Sequence, residues 1–178
     1  RQRQMCIRDR IMFDPRLTWN TEAILQRDGG VPVRCKSGHA FMKECMRNNE
    51  VLYGGEMSAH HYFRDFSCCD SGMIPWLLVT ELMCRSGKKL SELVGERVAM
   101  YPCSGEINRK VADSAAVLAE LGKKYADGEQ DYLDGLSVAY DNWRFNVRVS
   151  NTEPVMRLNV ETKGDKAVSY THLTLPTT

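Results

Sequence analysis

The sequence is short of several things. No apolar run comes near the roughly 20 residues that a membrane-spanning helix needs. The N-terminus is charged and lacks the apolar central stretch of a signal peptide, so secretion is not expected. Excess charge is missing too: 24 Lys and Arg against 23 Asp and Glu leave a formal net charge of +1. Such a balance draws a chain neither to nucleic acid nor to an anionic membrane. Internal repeats and low-complexity tracts are absent. What is there, 43% apolar and 26% charged residues, has the balance of a soluble, cytoplasmic globular protein. A length of 178 residues allows one ordinary domain or two small ones.

Seven cysteines are present, but no CxxC pair, and adjacent Cys68 and Cys69 do not have zinc-ligand spacing. His60, His61, Asp65, Cys68 and Cys69 form a local cluster of ligand-type residues. Reduced thiols in a core are the preferred reading, with no metal site expected. The rival is a metal-binding regulatory domain built on His60, His61 and Cys68.

Both ends stand apart. Met5 to Arg10 and Val168 to Leu173 can be encoded by stretches that are reverse complements over almost their full length. The shared element resembles the transposase end used in sequencing libraries. Residues 1–10 and 168–178 are therefore expected to be non-native tails, leaving Ile11 to Ala167 as native chain cut on both sides.

Along that stretch, Ile11 to Phe13 reads as a strand ending in the Asp14-Pro15-Arg16 turn, and Thr21 to Arg27 as a helix stopped at Asp28-Gly29-Gly30. Val31 to Cys35 alternates as a second strand. Ser37 stands where it would cap a helix through Met46, and Val51 to Tyr53 is a third strand running into Gly54-Gly55. Strand and helix alternating at this tempo imply a parallel α/β unit. Ser71 to Cys84 predicts a mostly apolar helix and Leu90 to Met100 an amphipathic one. Character changes near Tyr101-Pro102. A helical pattern over Lys110 to Tyr125 is followed by strands at Leu136 to Tyr140, Trp143 to Val149 and Val155 to Glu161, an α+β arrangement.

Three segments carry chemistry. Gly54 to His60 (GGEMSAH) follows a strand, where α/β sheets place ligand loops; Glu56, Ser58 and His60 alternate as a polyol ligand would want. Lys36-Ser37-Gly38-His39 lies at a strand-to-helix junction, where free amides and a lysine favour an anion. Arg148 to Pro154 (RVSNTEP) offers a forked guanidinium, the Ser150 and Thr152 hydroxyls and the Asn151 amide, a set suited to phosphate. Each also has an ordinary structural reading: a Gly-Gly-Glu turn, a helix cap beside an incidental lysine, and a hairpin turn.

Together and in this order, these segments resemble the α-D-phosphohexomutase family: GGEMSAH its sugar-specificity loop, KSGH the preceding active-site loop, RVSNTEP its phosphate loop, and Arg16 in FDPR a basic residue at the end of an earlier strand. The resemblance implies an α/β third domain over residues 11–100, with a mixed sheet and helices on both faces. A truncated α+β, TBP-like fourth domain follows over 101–167. It implies a mutase moving phosphate between the 6- and 1-positions of a hexose, with Mg2+ and glucose 1,6-bisphosphate as activator. Hexose phosphate is then the partner, without nucleic acid or membrane, in a monomer or weak dimer. Glu56, Ser58 and His60 would hold the sugar; Arg148, Ser150, Asn151, Thr152 and Lys36 would hold phosphate. His39 and Arg16 would lie near the reacting oxygen. Glu-Met-Ser and Asn151 point to the mannose/glucose branch, and the stretch from Met57 through Leu78 resembles the bacterial enzymes that feed GDP-mannose synthesis. The glucosamine branch and a non-catalytic sugar-phosphate module are the alternatives. Ala59 stands for a frequent glycine and Ser37 for a frequent threonine. A loop with the phosphorylatable serine and an Asp-rich magnesium loop are absent from this sequence.

Overall fold

A computed structural model describes residues 9–150 and 154–164. They fall into two compact units, divided between Arg97 and Val98.

In the first unit, the side chains of β1 (Arg10–Phe13) alternate across the sheet. Ile11 and Phe13 pack with Leu25 of helix α1 (Trp19–Asp28), while Met12 packs with Met42 and Met46 of α2 (His39–Asn48). One helix thus covers each face. Strand β1 lies between parallel partners β2 (Val31–Arg34) and β3 (Tyr53–Gly55). The sheet continues with antiparallel β4 (His61–Phe63) and β5 (Cys69–Asp70), giving the order β2-β1-β3-β4-β5. It is therefore mixed, and the parallel unit inferred from the strand–helix rhythm covers only three of its strands. Strands of two and three residues are too short to show alternation, which is why β4 and β5 escape sequence reading.

Strand β1 takes in Arg10, assigned above to a tail by its codons. Its carbonyl accepts from the Leu52 N–H at 2.9 Å, a bond that any backbone can make. Gly54 is where β3 passes tightly over β1: a Cβ there would come within 2.4 Å of Met12 Cε. Helix α2 starts one residue later than the Ser37 cap implies. Ser37 is buried, and Gly38, at φ 122°, is the capping residue.

Helices α3 (Met73–Ser86) and α4 (Leu90–Met100) form close to where the sequence puts them, but neither has a buried residue. Trp76, Leu77 and Leu78 are each more than half exposed. Among the described residues, no helix is long and apolar enough to cross a membrane.

The second unit is an antiparallel sheet in the order β6-β10-β9-β8-β7, made of Ile107–Arg109, Met156–Thr162, Trp143–Val149, Leu136–Ala139 and Glu129–Asp131. Leu136, Val138, Phe145, Val147, Leu158 and Val160 form its core with Leu121 of α5 (Ser114–Lys124). The helix begins four residues after Lys110. Asp113 stops the pattern there by capping it, its Oδ1 accepting from the Ala116 N–H at 3.0 Å. The alternate positions of β9 and β10 (Arg144, Asn146, Arg148, Asn159, Glu161) are polar and also buried. Arg144 and Glu161 face each other across these strands in an ion pair of 2.6 Å.

Candidate functional site

In the first unit the site is built at the C-terminal ends of the parallel strands, the edge where open α/β sheets take ligands. Strand β1 delivers Asp14 and Arg16, both buried. The Arg16 Nε and Nη2 donate to the two Asp14 carboxylate oxygens at 2.9 and 2.7 Å, and its backbone N–H to Oδ1 at 3.0 Å. The same Nη2 lies 3.5 Å from Ser58 Oγ and 3.9 Å from Glu56 Oε2. Asp14 also accepts from the Met57 N–H at 2.7 Å. A single carboxylate thereby aims the guanidinium and pins the 56–60 loop. Bidentate pairing at this burial makes the geometry rigid.

Glu56 follows β3 and is itself nearly closed off from solvent. Its Oε1 accepts from Tyr62 Oη at 2.7 Å and its Oε2 from the Gly38 N–H at 3.2 Å. Burial, and then the bond to Glu56, push the Tyr62 phenol well above its ordinary pKa, so it stays a donor. Ser58 and His39 are exposed.

His60 Nδ1 is 2.7 Å from Asp70 Oδ2, and Asp70 Oδ1 accepts from the His61 N–H at 2.9 Å. Burial acts to raise the Asp70 pKa, but these bonds from His61 and His60 outweigh it and hold the carboxyl below its ordinary value. The His39 ring lies edge-on to His60, centroids 4.5 Å apart, and 5.5 Å from the Tyr62 ring. His61 turns away to Tyr53, whose Oη is 2.6 Å from its Nδ1. Lys36 sets its ammonium over the Phe41 ring at 5.0 Å, a cation–π contact rather than a salt bridge.

Arg16, His39, Glu56, Ser58 and His60, singled out from the sequence, thus share one strand edge. Asp14, Tyr62 and Asp70 share it too and were missed. For Asp14 the signal lay two residues before Arg16, inside the turn. Asp70 gave none, because it reaches His60 only through the β4–β5 pairing.

In the second unit, Arg148 lies on the buried polar face of β9 and pairs with Glu106 at 3.7 Å. Glu106 also meets Arg157 at 3.3 Å. Ser150 is buried, and its N–H donates to the Val155 carbonyl at 2.9 Å. Asn151 and Thr152 lie outside the described residues. Gly135, at φ 76°, passes so close to β9 that a Cβ would stand 2.2 Å from the Val147 carbonyl oxygen and 2.7 Å from Arg148 Cα. That contact seats the Asp134-Gly135 segment directly against Arg148.

The resemblance implies magnesium, an ion that takes an octahedron of oxygens. Among the described residues, the one group of three ligand-type side chains close enough to share an ion is His39, His60 and Asp70. Two imidazoles and a carboxylate do not fit magnesium. The group imagined from sequence, His60, His61 and Cys68, is not brought together; His61 faces Tyr53 and Cys68 is buried.

Residues 1–101 match the model of the phosphoglucomutase/phosphomannomutase α/β/α domain III, and residues 106–171 that of the C-terminal domain of the same family. A phosphomannomutase of Salmonella montevideo is 60% identical over 158 residues, 88% of this chain and 35% of that protein. Phosphohexose mutases of Xanthomonas campestris pv. campestris (strain B100) are 57% identical over 164 residues, 91% of this chain and 37% of theirs. A solved phosphoglucomutase/phosphomannomutase family protein of Burkholderia thailandensis superposes with a TM-score of 0.76 at 28% identity, covering 90% of this chain and 35% of that one. The chain spans about a third of the length of the curated relatives it matches. With two consecutive domain models of one family matched along its length, this chain belongs to the phosphoglucomutase/phosphomannomutase family.

Proposed function

We propose that the parent of this chain is a cytoplasmic phosphomannomutase, interconverting mannose 6-phosphate and mannose 1-phosphate and acting also on glucose phosphates. Its product would serve nucleotide-sugar synthesis, and the enzyme would work as a monomer or weak dimer. The observation that carries this reading is Glu56. A buried carboxylate held by Tyr62 and Gly38, beside the exposed Ser58 hydroxyl, is a fixed acceptor for sugar hydroxyls.

On this reading Glu56 and Ser58 bind the hydroxyls that remain equivalent when the sugar turns over. Arg148 and Ser150, with Asn151 and Thr152, hold the phosphate that is not reacting, and Lys36 adds positive charge. His39 stands at the open end of the site, where it can exchange a proton with the reacting oxygen. Arg16 keeps Ser58 and Glu56 in register, and His60 is a supporting group. Phosphoryl transfer depends mainly on positioning and charge stabilisation, so groups that accept both orientations of one sugar matter as much as the nucleophile. The phosphoserine donor and magnesium would come from other parts of the parent, with glucose 1,6-bisphosphate as activator. The two working units are residues 11–100 and 101–167.

A chimera tests this. Residues 11–164 replace the matching stretch of the Salmonella montevideo phosphomannomutase, and turnover of mannose 1-phosphate is followed. Activity is expected, with large losses in Glu56→Ala and Arg148→Ala. A folded but inactive chimera overturns the assignment.

A further inference from the structure

His39 opens α2, His60 precedes β4 and Asp70 ends β5, so three separate elements bring these side chains together. One ligand atom from each lies within 4.8 Å of the others. We propose that His39, His60 and Asp70 form a binding site for zinc or a similar late transition-metal ion, with the fourth position open to solvent.

Two imidazoles and one carboxylate are the donor set that suits zinc, cobalt or nickel rather than magnesium or calcium. Three protein ligands with a free fourth position is also the form of an open zinc site. Zinc bonds of about 2.0–2.1 Å at tetrahedral angles put ligand atoms roughly 3.3 Å apart. His60 and Asp70, now 2.7 Å apart, need to open slightly, and His39 to close by about 1.5 Å at most. His39 is exposed, so its side chain can turn toward the ion at the cost of its edge contacts with the His60 and Tyr62 rings. The Asp70 carboxylate already has the outer support that metal ligands use: the His61 N–H holds its other oxygen at 2.9 Å. The ion would be held by this corner of the sheet alone, and the inference does not rest on the proposed mutase activity.

Zinc and cobalt titrations of the complete 178-residue chain at pH 7.5 test it, by calorimetry and by visible absorption respectively. The described cysteines are free, two of them exposed, so the ligand type has to be read as well as the affinity. One high-affinity zinc per chain is expected, unaffected by millimolar magnesium and by Cys69→Ser. The cobalt form is expected to lack a thiolate-to-metal charge-transfer band. His39→Ala, His60→Ala and Asp70→Asn should each weaken binding about tenfold or more, with thermal unfolding of His39→Ala unchanged. Wild-type affinity in His39→Ala, or a charge-transfer band, overturns the site.

Discussion

Tyr62, a ring with no solvent exposure, donates its phenol hydrogen to Glu56 Oε1 at 2.7 Å. Deleting that hydroxyl leaves a buried carboxylate oxygen without its donor, which costs about 1–3 kcal/mol and more where the acceptor is charged. Tyr62→Phe is therefore expected to lower the stability of the first unit by about 2 kcal/mol in urea unfolding. An unchanged midpoint would mean that Glu56 is solvated in a way its burial does not suggest.

Asp14 does more with one side chain, accepting from the Arg16 backbone and guanidinium and from Met57. Asp14→Asn removes the charge that balances a buried guanidinium. Breaking a buried pair from one side costs about 3–5 kcal/mol. The expected loss is at the lower end, because Glu56 is 3.9 Å from the same nitrogen. Guanidinium denaturation of the variant checks this.

His61 gives the first unit a pH dependence. Burial is the main cause that lowers its pKa, with Asp70 opposing, and its neighbour Tyr53 is pushed up to about 12 by burial. A depressed histidine pKa means that the unfolded chain takes up the proton first. The neutral ring's contribution is thus complete above the ordinary value of about 6.5 and is lost as pH falls through the lower folded value. Stability is expected to decline from pH 7.5 to 5.5, and His61→Gln to flatten that slope. Thermal unfolding across this range measures it.

Gly135→Ala is expected to be severe. The new Cβ would overlap the Val147 carbonyl and the Arg148 backbone at a φ of 76°. Left-handed strain of about 1–3 kcal/mol and overpacking of similar size act together. The variant should lose about 3 kcal/mol or more, read by denaturation of the second unit. The phosphate binding proposed for Arg148 should weaken with it.

The 178-residue chain alone is expected to show no turnover of mannose 1-phosphate in a coupled assay with glucose 1,6-bisphosphate. Its sequence has neither a phosphoserine-type loop nor an Asp-rich magnesium loop. Any turnover above background in purified chain would sink that expectation.

Much of the fold is legible in the sequence. Ile11 and Phe13 against Met12 announce a strand buried on both faces, and Asp28-Gly29-Gly30 ends α1 as written, with Gly29 at φ 76°. Trp143 to Val149 forms a strand over the range its alternation predicts. At the candidate site, the glycines, acid and hydroxyl of Gly54 to Ser58 mark out the loop that packs against Asp14 and Arg16. What stayed hidden depends on pairing at a distance. Nothing local ties Asp70 to His60, or Glu106 to Arg148, until strands bring them together. Lys36 shows the opposite limit: its place in the motif suggested an anion, while its packing against Phe41 is a matter of rotamer.

Helix α3 shows its tryptophan and leucines to water along both sides, with no residue buried. An exposed apolar surface of this kind marks a face for association or, left uncovered, an aggregation liability. Made alone in a cell, the chain would carry that liability however strong its two cores are.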